Sequence, residues 1–472
     1  MVRQATKQPD ATAAFTAGEI SSGGLDFGPW YEALNRVNLI QCQGAIVRVA
    51  GLTVESAGPK VPVGQLCEIR MRDKRKVLAE VVGFNGDQLI LMPMEHAEGI
   101  AQGDVVTPHP STRCLCVGDQ ILGRVLNGLG QPIDGKGRLT GQDTTSLDNQ
   151  VPCPLSREKI SHPLSLGIRS IDGMLTVGRG QRVGIFAGSG VGKSVLLGDI
   201  ANSSDAEINV VALIGERGRE VREFLENELG SEGLARSVVV VATSDAPAIQ
   251  RTKAAFLAVS VAEYFRDKGR NVLFMMDSLT RFSQAQREIG LAAGEPPTAK
   301  GYCPSVFSLM PRLIERLGCS DKGSITGIFT VLVESDDMSD PVADSARSLL
   351  DGHIVLSRKL AERGHYPAVD IMASISRLMP VVVSEEHNKA ARKLKEIFST
   401  YMEAEDLINI GMFVAGSNAR IDGSIALIDR IRNFLIQPMR QRSSFNDTVQ
   451  QLLSMTHVWD NLLSAPNDVA KS

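Results

Sequence analysis

The stretch Ala187-Gly188-Ser189-Gly190-Val191-Gly192-Lys193-Ser194 decides the fold of this chain, because it has the residue order of a phosphate-binding loop. Residues 182–186 before it, Arg-Val-Gly-Ile-Phe, predict a buried strand, and residues 195–201 after it predict the first turns of a helix. Glycines let backbone N–H groups curl around phosphate oxygens, and the helix directs the positive end of its dipole at them. We expect Lys193 to reach the β- and γ-phosphates of ATP and Ser194 to bind Mg²⁺.

The first letter of the loop departs from the usual pattern, which has glycine where this chain has Ala187. Alanine is the next smallest residue, so close packing is expected to survive. The alternative is a glycine-rich turn with a chance Lys-Ser pair. The flanking strand and helix favour the phosphate loop.

The composition is that of a multidomain protein without signals for export or membrane insertion. The 472 residues exceed what one hydrophobic core usually serves. Hydrophobic residues make up 43% of the chain, and no run approaches the roughly 18 apolar residues of a membrane span. Residues 1–17 lack the apolar segment of a secretory signal, so we expect a cytoplasmic protein. The seven cysteines are scattered without metal-site spacing, and the net charge of −4 gives no footprint for nucleic acid.

Four segments of the chain differ in pattern and predict an α/β protein. Residues 1–37 combine a flexible tail with a short amphipathic helix, which docks either on a partner or on its own domain. Short β-like runs in residues 38–110 predict a small β-barrel, with a hairpin turn at residues 85–87. Strands and helices alternate in residues 111–380, which predicts a mostly parallel sheet. Residues 381–472 predict a helical domain.

Two further apolar runs lead into acidic residues. Residues 272–276 precede Asp277, as expected where a buried strand delivers a carboxylate to Mg²⁺. Residues 210–214 precede a loop that contains Glu216 and Glu220. A carboxylate there could orient and polarise the water that attacks the γ-phosphate. The spacing alone does not choose between the two glutamates, and a solvated loop is the alternative.

Long stretches of this sequence resemble the catalytic subunits of rotary ATP synthases, and more closely the ATPases of flagellar and type III protein export. The resemblance rests on the phosphate loop and on residues 178–181, 276–282, 286–297, 351–358 and 374–377. It extends over roughly residues 40 to 465. The export ATPases have alanine at the first loop position, so Ala187 matches the family. The resemblance implies a RecA-like ATPase domain in which all eight loop residues contact the nucleotide.

The resemblance also implies a fuller active site. Glu216 matches the catalytic carboxylate of the family's Gly-Glu-Arg motif, which favours it over Glu220. Arg217 and Arg281 match arginines placed near the phosphates. Arg377 matches the arginine that the family lends to a neighbouring subunit's nucleotide, where its charge stabilises the transition state.

The residues expected around the adenine are less regular. Phe445 falls six residues after Met439, where ATP synthase subunits place an aromatic ring against the base; core packing is the alternative. Met439 and Asn388 occupy positions that are aromatic there, which implies weaker stacking and looser base selectivity. Tyr302 lies in the family's loop that faces the central channel, which makes it a candidate pore contact.

The function implied by the resemblance is Mg²⁺-dependent ATP hydrolysis by a homohexamer that energises type III protein export. The implied partners are a stator-like regulator at the N-terminus, a central stalk protein, the membrane export gate, chaperones and unfolded cargo, with no nucleic acid. The implied location is the cytoplasm, with peripheral association at the inner membrane. Residues 79–84 and 340–347 look more like the flagellar branch than the injectisome branch.

Two alternatives share the core fold. A rotary ATP synthase subunit is less consistent, because one chain with both Glu216 and Arg377 can build identical sites around a ring. An RNA-translocating hexameric helicase is less consistent because the N-terminal segment is neither basic nor rich in aromatic residues.

Overall fold

The computed structural model of the protein describes residues 27, 42–109, 114–141, 143–333 and 339–464. The chain divides into two compact units, residues 1–42 and 43–472, and every feature below belongs to the second unit. Apart from Phe27, the amphipathic helix expected within residues 1–37 lies outside the described residues. Within those ranges, no helix is both long and apolar enough to cross a membrane.

Residues 44–108 form the barrel that the sequence predicts. Its strands are β1 (Gly44–Ala50), β2 (Thr53–Ala57), β3 (Leu66–Arg70), β4 (Lys76–Asn85), β5 (Gln88–Pro93) and β6 (Val105–Pro108). They close in the order β1-β2-β5-β4-β3-β6, and each neighbouring pair is antiparallel. The predicted turn joins β4 to β5, with Gly86 in the left-handed region at φ 58°. Inward side chains such as Ile46, Ile69 and Leu91 fill the barrel.

The central domain is built on a sheet of largely parallel strands. The strands that follow the barrel are β7 (Cys114–Val117), β8 (Arg124–Asn127), β9 (Asp143–Ser146), β10 (Pro163–Leu164), β11 (Val177–Gly178), β12 (Arg182–Ala187), β13 (Ile208–Ile214), β14 (Ser237–Ala242), β15 (Asn271–Asp277), β16 (Gly318–Cys319), β17 (Ser324–Leu332), β18 (Gly352–Leu356) and β19 (Val369–Ser376). The main sheet has the order β19-β18-β12-β17-β15-β13-β14-β8. Its strands are parallel along this path, except that β19 runs antiparallel to β18 at one edge.

Helices lie on both faces of the sheet and continue into the C-terminal region. They are α1 (Arg169–Met174), α2 (Lys193–Ser203), α3 (Gly218–Glu223), α4 (Gly230–Ala235), α5 (Ala248–Asp267), α6 (Leu279–Ala292), α7 (Pro304–Ile314), α8 (Pro341–Leu349), α9 (Arg358–Glu362), α10 (Met379–Val382), α11 (Glu385–Asn409), α12 (Ala419–Leu435) and α13 (Phe445–Ser464). A π-helical turn, Phe224–Leu229, joins α3 to α4, and single 3₁₀ turns lie at Asp119–Ile121, Pro154–Ser156 and Ala299–Gly301. The long helix α5 begins at Ala248, directly after Pro247.

The sheet is covered by apolar cores on its two faces. Val211 and Leu213 of β13 face the core that contains α2, whereas Val210 and Ala212 face the core that contains α5. The C-terminal helices α11, α12 and α13 pack on one another and on α1, and they extend the first of these cores as far as Trp459. Because both faces of the sheet are covered, the loops that follow several strands meet beyond the carboxyl ends of the parallel strands.

Candidate nucleotide site

The phosphate loop connects β12, in the interior of the sheet, to α2. Gly190 and Gly192 have φ of 79° and 86°, a conformation that side chains with a Cβ rarely adopt, so glycine is required at both positions. Ala187 is the last residue of β12 and is buried, and its carbonyl accepts a hydrogen bond from the N–H of Val333. Alanine therefore fits the first loop position, as expected.

Lys193 begins α2 and lies between two carboxylates. Its Nζ is 2.6 Å from Oδ1 of Asp277, which ends β15, and 3.6 Å from Oε1 of Glu216, which lies just after β13. The three side chains are between 6 and 15% exposed. The strand order thus brings together three of the residues selected from the sequence.

The charges in this cluster shift one another's protonation. Burial lowers the pKa of the Lys193 ammonium, but Asp277 and Glu216 outweigh burial, so the pKa is raised and the lysine stays charged. Burial and the negative charge of Asp277 raise the pKa of Glu216 to about 7, although Lys193 opposes this shift. Glu216 is therefore poised to change its charge near neutral pH.

Glu220 is the neighbour of Glu216 rather than its equivalent. It lies in the first turn of α3, and its hydrogen bond with Glu216 lowers its pKa. Arg217 is largely exposed, with its Nη1 3.6 Å from Oε1 of Glu220. The structure thus places Glu216 against Lys193, and it places Arg217 at the rim beside Glu220.

Arg281 lies beside the same strand ends. Its backbone N–H donates to the hydroxyl of Ser278, and its Nη1 donates to Oε1 of Gln284 at 3.0 Å. A Cβ placed on Gly215, the residue before Glu216, would lie 2.7 Å from the Arg281 side chain. Among the described residues, nothing accepts a hydrogen bond from the buried Nε. A buried guanidinium N–H with no acceptor fits a site that receives an anion.

Thr330 is a part of the site that the sequence analysis missed. It lies on β17, next to β15, and its hydroxyl lies 2.7 Å from Oδ1 of Asp277 and 3.2 Å from the carbonyl of Met276. Thr330 therefore fixes the carboxylate from the neighbouring strand. A threonine inside an apolar run gives no signal of this role until the strand order is known.

Tyr366 is a second residue that the sequence analysis missed. It follows α9, and a Cβ placed on Gly192 would lie 3.4 Å from its ring. Tyr366 is 39% exposed, so an aromatic residue borders the phosphate loop and remains accessible. An aromatic residue directly before a proline was the available signal.

Phe445, the aromatic residue selected from the sequence, lies at the start of α13. Its ring packs edge-on against His387 with ring centroids 5.8 Å apart, and His387 Nε2 is 2.8 Å from the carbonyl of Gly173. This contact corresponds to the packing alternative, and no described contact of Phe445 joins it to the phosphate loop. Met439, expected near the base, is exposed.

Tyr302 differs from the expectation. It is only 4% exposed, and the guanidinium of Arg287 lies 5.2 Å from the centre of its ring. It also packs against Phe307 on α7. The channel contact expected of Tyr302 is therefore not available to a ring held inside this packing.

Arg377 lies near the amino ends of the parallel strands, whereas Lys193 lies beyond their carboxyl ends. It follows Ser376, which pairs with Gly352 at the start of β18, whereas Ala187 pairs with Leu356 at the end of β18. Four residues of strand separate these positions, or about 13 Å. The Arg377 side chain is exposed and its Nη2 donates to the carbonyl of Arg347 at 3.3 Å. The structure does not bring Arg377 to the phosphate loop of its own chain.

Comparison with known proteins finds relatives along the described part of the chain. Three family models match: the ATP synthase alpha/beta family β-barrel domain at residues 46–109, the nucleotide-binding domain of that family at 167–376, and the T3SS EscN ATPase C-terminal domain at 383–454. The flagellum-specific ATP synthase of Bacillus subtilis is 50% identical over 88% of this chain and 95% of its own length. The type 3 secretion system ATPase of Xanthomonas euvesicatoria is 49% identical over 88% of this chain and 94% of its own length.

Solved structures show the same architecture. The assembled ATPase EscN from the type III secretion system of enteropathogenic E. coli has a TM-score of 0.83 and 46% identity, and the match covers 87% of this chain and 99% of EscN. EscN in complex with its central stalk EscO gives a TM-score of 0.81 at the same identity and coverage. The chain therefore belongs to the ATP synthase α/β family, in the group of flagellum-specific ATP synthases and type 3 secretion system ATPases, and it is an ATP-hydrolysing enzyme.

Proposed function

We propose that this chain hydrolyses ATP with Mg²⁺ in a ring of identical subunits, and that hydrolysis energises type III protein export. The main support for a ring of subunits is the position of Arg377. Along the strand direction, it is separated by about 13 Å from the phosphate loop of its own chain. We infer that an arginine in this position acts on a nucleotide bound by a neighbouring subunit. In a closed ring, every subunit has the same boundary with its neighbour, so every site can be completed in this way.

The residues around Lys193 fit ATP with Mg²⁺. The Ser194 hydroxyl and the Asp277 carboxylate supply oxygen donors, which Mg²⁺ prefers, and Thr330 holds the carboxylate. Bound Mg²⁺ would neutralise charge that develops on the phosphates. Lys193 and Arg281 supply fixed positive charge for the phosphate oxygens, and the backbone of residues 187–194 surrounds them.

Glu216 is the group that we assign to the attacking water. Its carboxylate is buried beside Lys193, and its pKa of about 7 suits a group that accepts a proton near neutral pH. Arg377 of a neighbouring subunit would add charge as the transition state forms. Tyr366 borders the loop at Gly192, so we assign base stacking to it ahead of Phe445.

Relatives in both the flagellar and the type 3 secretion groups support a role in protein export. The matched EscN was solved as an assembly and with a central stalk, which supports a homohexamer and a stalk partner here. We extend the proposal to an N-terminal regulator, an export gate, chaperones and unfolded cargo, at the cytoplasmic side of the inner membrane. The identities of 50% and 49% do not separate the flagellar from the injectisome branch. Our preference for the flagellum rests on residues 79–84 and 340–347.

The test combines enzymology with a phenotype. We expect Glu216→Gln to lower ATP turnover by at least ~10²-fold while ATP binding is retained, because the amide cannot accept the proton of the attacking water. In the source cell, the same substitution should abolish swimming and leave effector secretion intact. Turnover, ATP affinity and motility are measured on the same variant.

The matched control is Glu223→Gln at the end of α3. Its carboxylate pairs with Arg219 on an exposed face of this helix. This variant should keep wild-type turnover and motility. Wild-type turnover in Glu216→Gln would contradict the site assignment. Intact motility with lost effector secretion would assign the chain to an injectisome instead.

A further inference from the structure

Residues 436–442, between α12 and α13, contact Tyr366, α2 and the π-helical turn. We refer to these residues as the strap. Gln437 is its buried anchor, with 5% of its surface exposed. The strap therefore joins the C-terminal helices directly to the elements that surround the phosphate loop.

Gln437 uses both polar atoms of its side chain. Its Oε1 accepts from the N–H of Arg169 at 2.9 Å, and its Nε2 donates to the carbonyl of Gly167 at 2.8 Å and to the carbonyl of Gln441. Its backbone N–H donates to the carbonyl of Tyr366 at 2.9 Å. A buried amide with this many partners has one available orientation, so Gln437 fixes the backbone of Tyr366 against the start of α1.

Arg440 attaches the strap to the helix that follows the phosphate loop. Its backbone N–H donates to Oδ1 of Asp199 on α2 at 2.9 Å, and its guanidinium donates to the carbonyl of Asn227. Its φ of 60° is unusual for a residue with a side chain. A strained residue is kept in place only by surrounding contacts, and here those contacts lie on α2 and the π-helical turn.

These attachments converge on the loop from two sides. Through Gln437 the strap holds Tyr366, whose ring borders Gly192, and through Arg440 it holds α2, which begins at Lys193. We propose that Gln437 is a positioning residue for nucleotide binding, because its side chain anchors the backbone that holds Tyr366 beside the phosphate loop. This inference rests on the proposed function of the site and on the assignment of Tyr366 to the base.

The expected signature is a change of affinity without a change of chemistry. Lys193, Glu216 and Asp277 are held by β12, β13 and β15, and none of the described bonds of Gln437 reaches them. Removing the Gln437 side chain keeps the backbone bond to Tyr366 but removes the bonds to Arg169 and Gly167 that hold this backbone in place, so the Tyr366 loop is held less firmly while the three catalytic side chains stay in place. ATP binding should weaken, and turnover at saturating ATP should persist.

The experiment measures kcat and KM for ATP, and the Kd of a fluorescent ATP analogue, in the full-length chain. Gln437→Ala should raise KM and Kd about tenfold, which corresponds to the loss of one well-placed interaction, with kcat within about twofold of wild type. Gln437→Met keeps most of the side-chain volume and loses both the acceptor and the donors without burying a charge, so it should behave like Gln437→Ala. If Gln437→Ala does not fold, Gln437→Met provides the same test. Gln450→Ala, on the exposed face of α13, is the matched control and should match wild type.

A double-mutant cycle with Tyr366→Ala separates positioning from general loss of stability. If Gln437 acts through Tyr366, then Gln437→Ala should add nothing to the KM of Tyr366→Ala. Additive effects of the two substitutions, or a Gln437→Ala variant with wild-type KM and Kd, would overturn the inference. Failure of the proposed function has a different appearance, because Glu216→Gln would then keep wild-type turnover.

Discussion

The ammonium of Lys193 lies between two carboxylates whose surroundings differ. Asp277 is 2.6 Å away and also accepts the hydroxyl of Thr330, whereas Glu216 is 3.6 Å away and shares a hydrogen bond with Glu220. Asp277 thus receives two donors, and Glu216 is left with a raised pKa. The two carboxylates are suited to different tasks, one to a cation and the other to a proton.

The first prediction at this scale is a pH dependence. Because the pKa of Glu216 without nucleotide is raised to about 7 and the carboxylate is the working form, kcat/KM for ATP should fall about tenfold for each pH unit well below 7 and level off above it. Glu220→Gln removes a negative neighbour and offers an amide donor, so it should move the midpoint to lower pH. The measurement is kcat/KM for ATP between about pH 5.5 and 9. A profile that is flat from pH 6 to 8 in the wild type would count against Glu216 as the base.

At the scale of elements, the site depends on which strands are neighbours. β12, β15 and β13 lie within one parallel sheet, so their carboxyl ends deliver Lys193, Asp277 and Glu216 to the same edge. β17 lies between β12 and β15 and contributes Thr330. The residue that orients Asp277 is therefore supplied by an element more than 50 residues further along the chain.

The prediction at this scale concerns Thr330. Thr330→Val keeps the shape of the side chain but removes the hydroxyl from Asp277, so the apparent affinity for Mg²⁺ should fall about tenfold, as when other outer-shell partners are removed. Thr330→Ser retains the hydroxyl and should remain close to wild type. ATPase activity titrated with Mg²⁺ at fixed ATP provides the readout. Equal Mg²⁺ dependence in Thr330→Val and wild type would show that the hydroxyl does not orient Asp277.

Local patterns in the sequence predicted the barrel, the parallel sheet and the helical C-terminal region, because alternation and apolar runs report burial directly. They also predicted Lys193 and Asp277, each at one end of an element with a clear pattern, but they left Glu216 and Glu220 as alternatives until the family resemblance favoured Glu216. Thr330 and Gln437 could not be found in this way, because their roles depend on pairing and packing between distant segments. Phe445 was chosen by likeness at the adenine side, whereas the ring that borders the loop is Tyr366.

At the scale of the whole molecule, the two parts of the proposed shared site lie at opposite ends of the strands of one chain. The phosphate loop lies at the carboxyl ends of the parallel strands, and Arg377 lies at their amino ends. The three family models lie within the predicted segments 38–110, 111–380 and 381–472, whose limits remain predictions. An isolated subunit on this account binds ATP and hydrolyses it slowly.

The most direct test of the shared site is to mix two inactive variants. Lys193→Ala lacks the loop lysine but keeps Arg377, and Arg377→Ala has the reverse defect, so each alone should lose at least ~10³-fold in turnover. In a ring assembled from equal amounts of both, a loop from one variant meets Arg377 from the other. We predict recovery of roughly a quarter of wild-type ATPase activity on mixing, since about one boundary in four is then complete. If the mixture stays as inactive as its components while mixed rings form, Arg377 does not complete a neighbour's site and the central claim is contradicted.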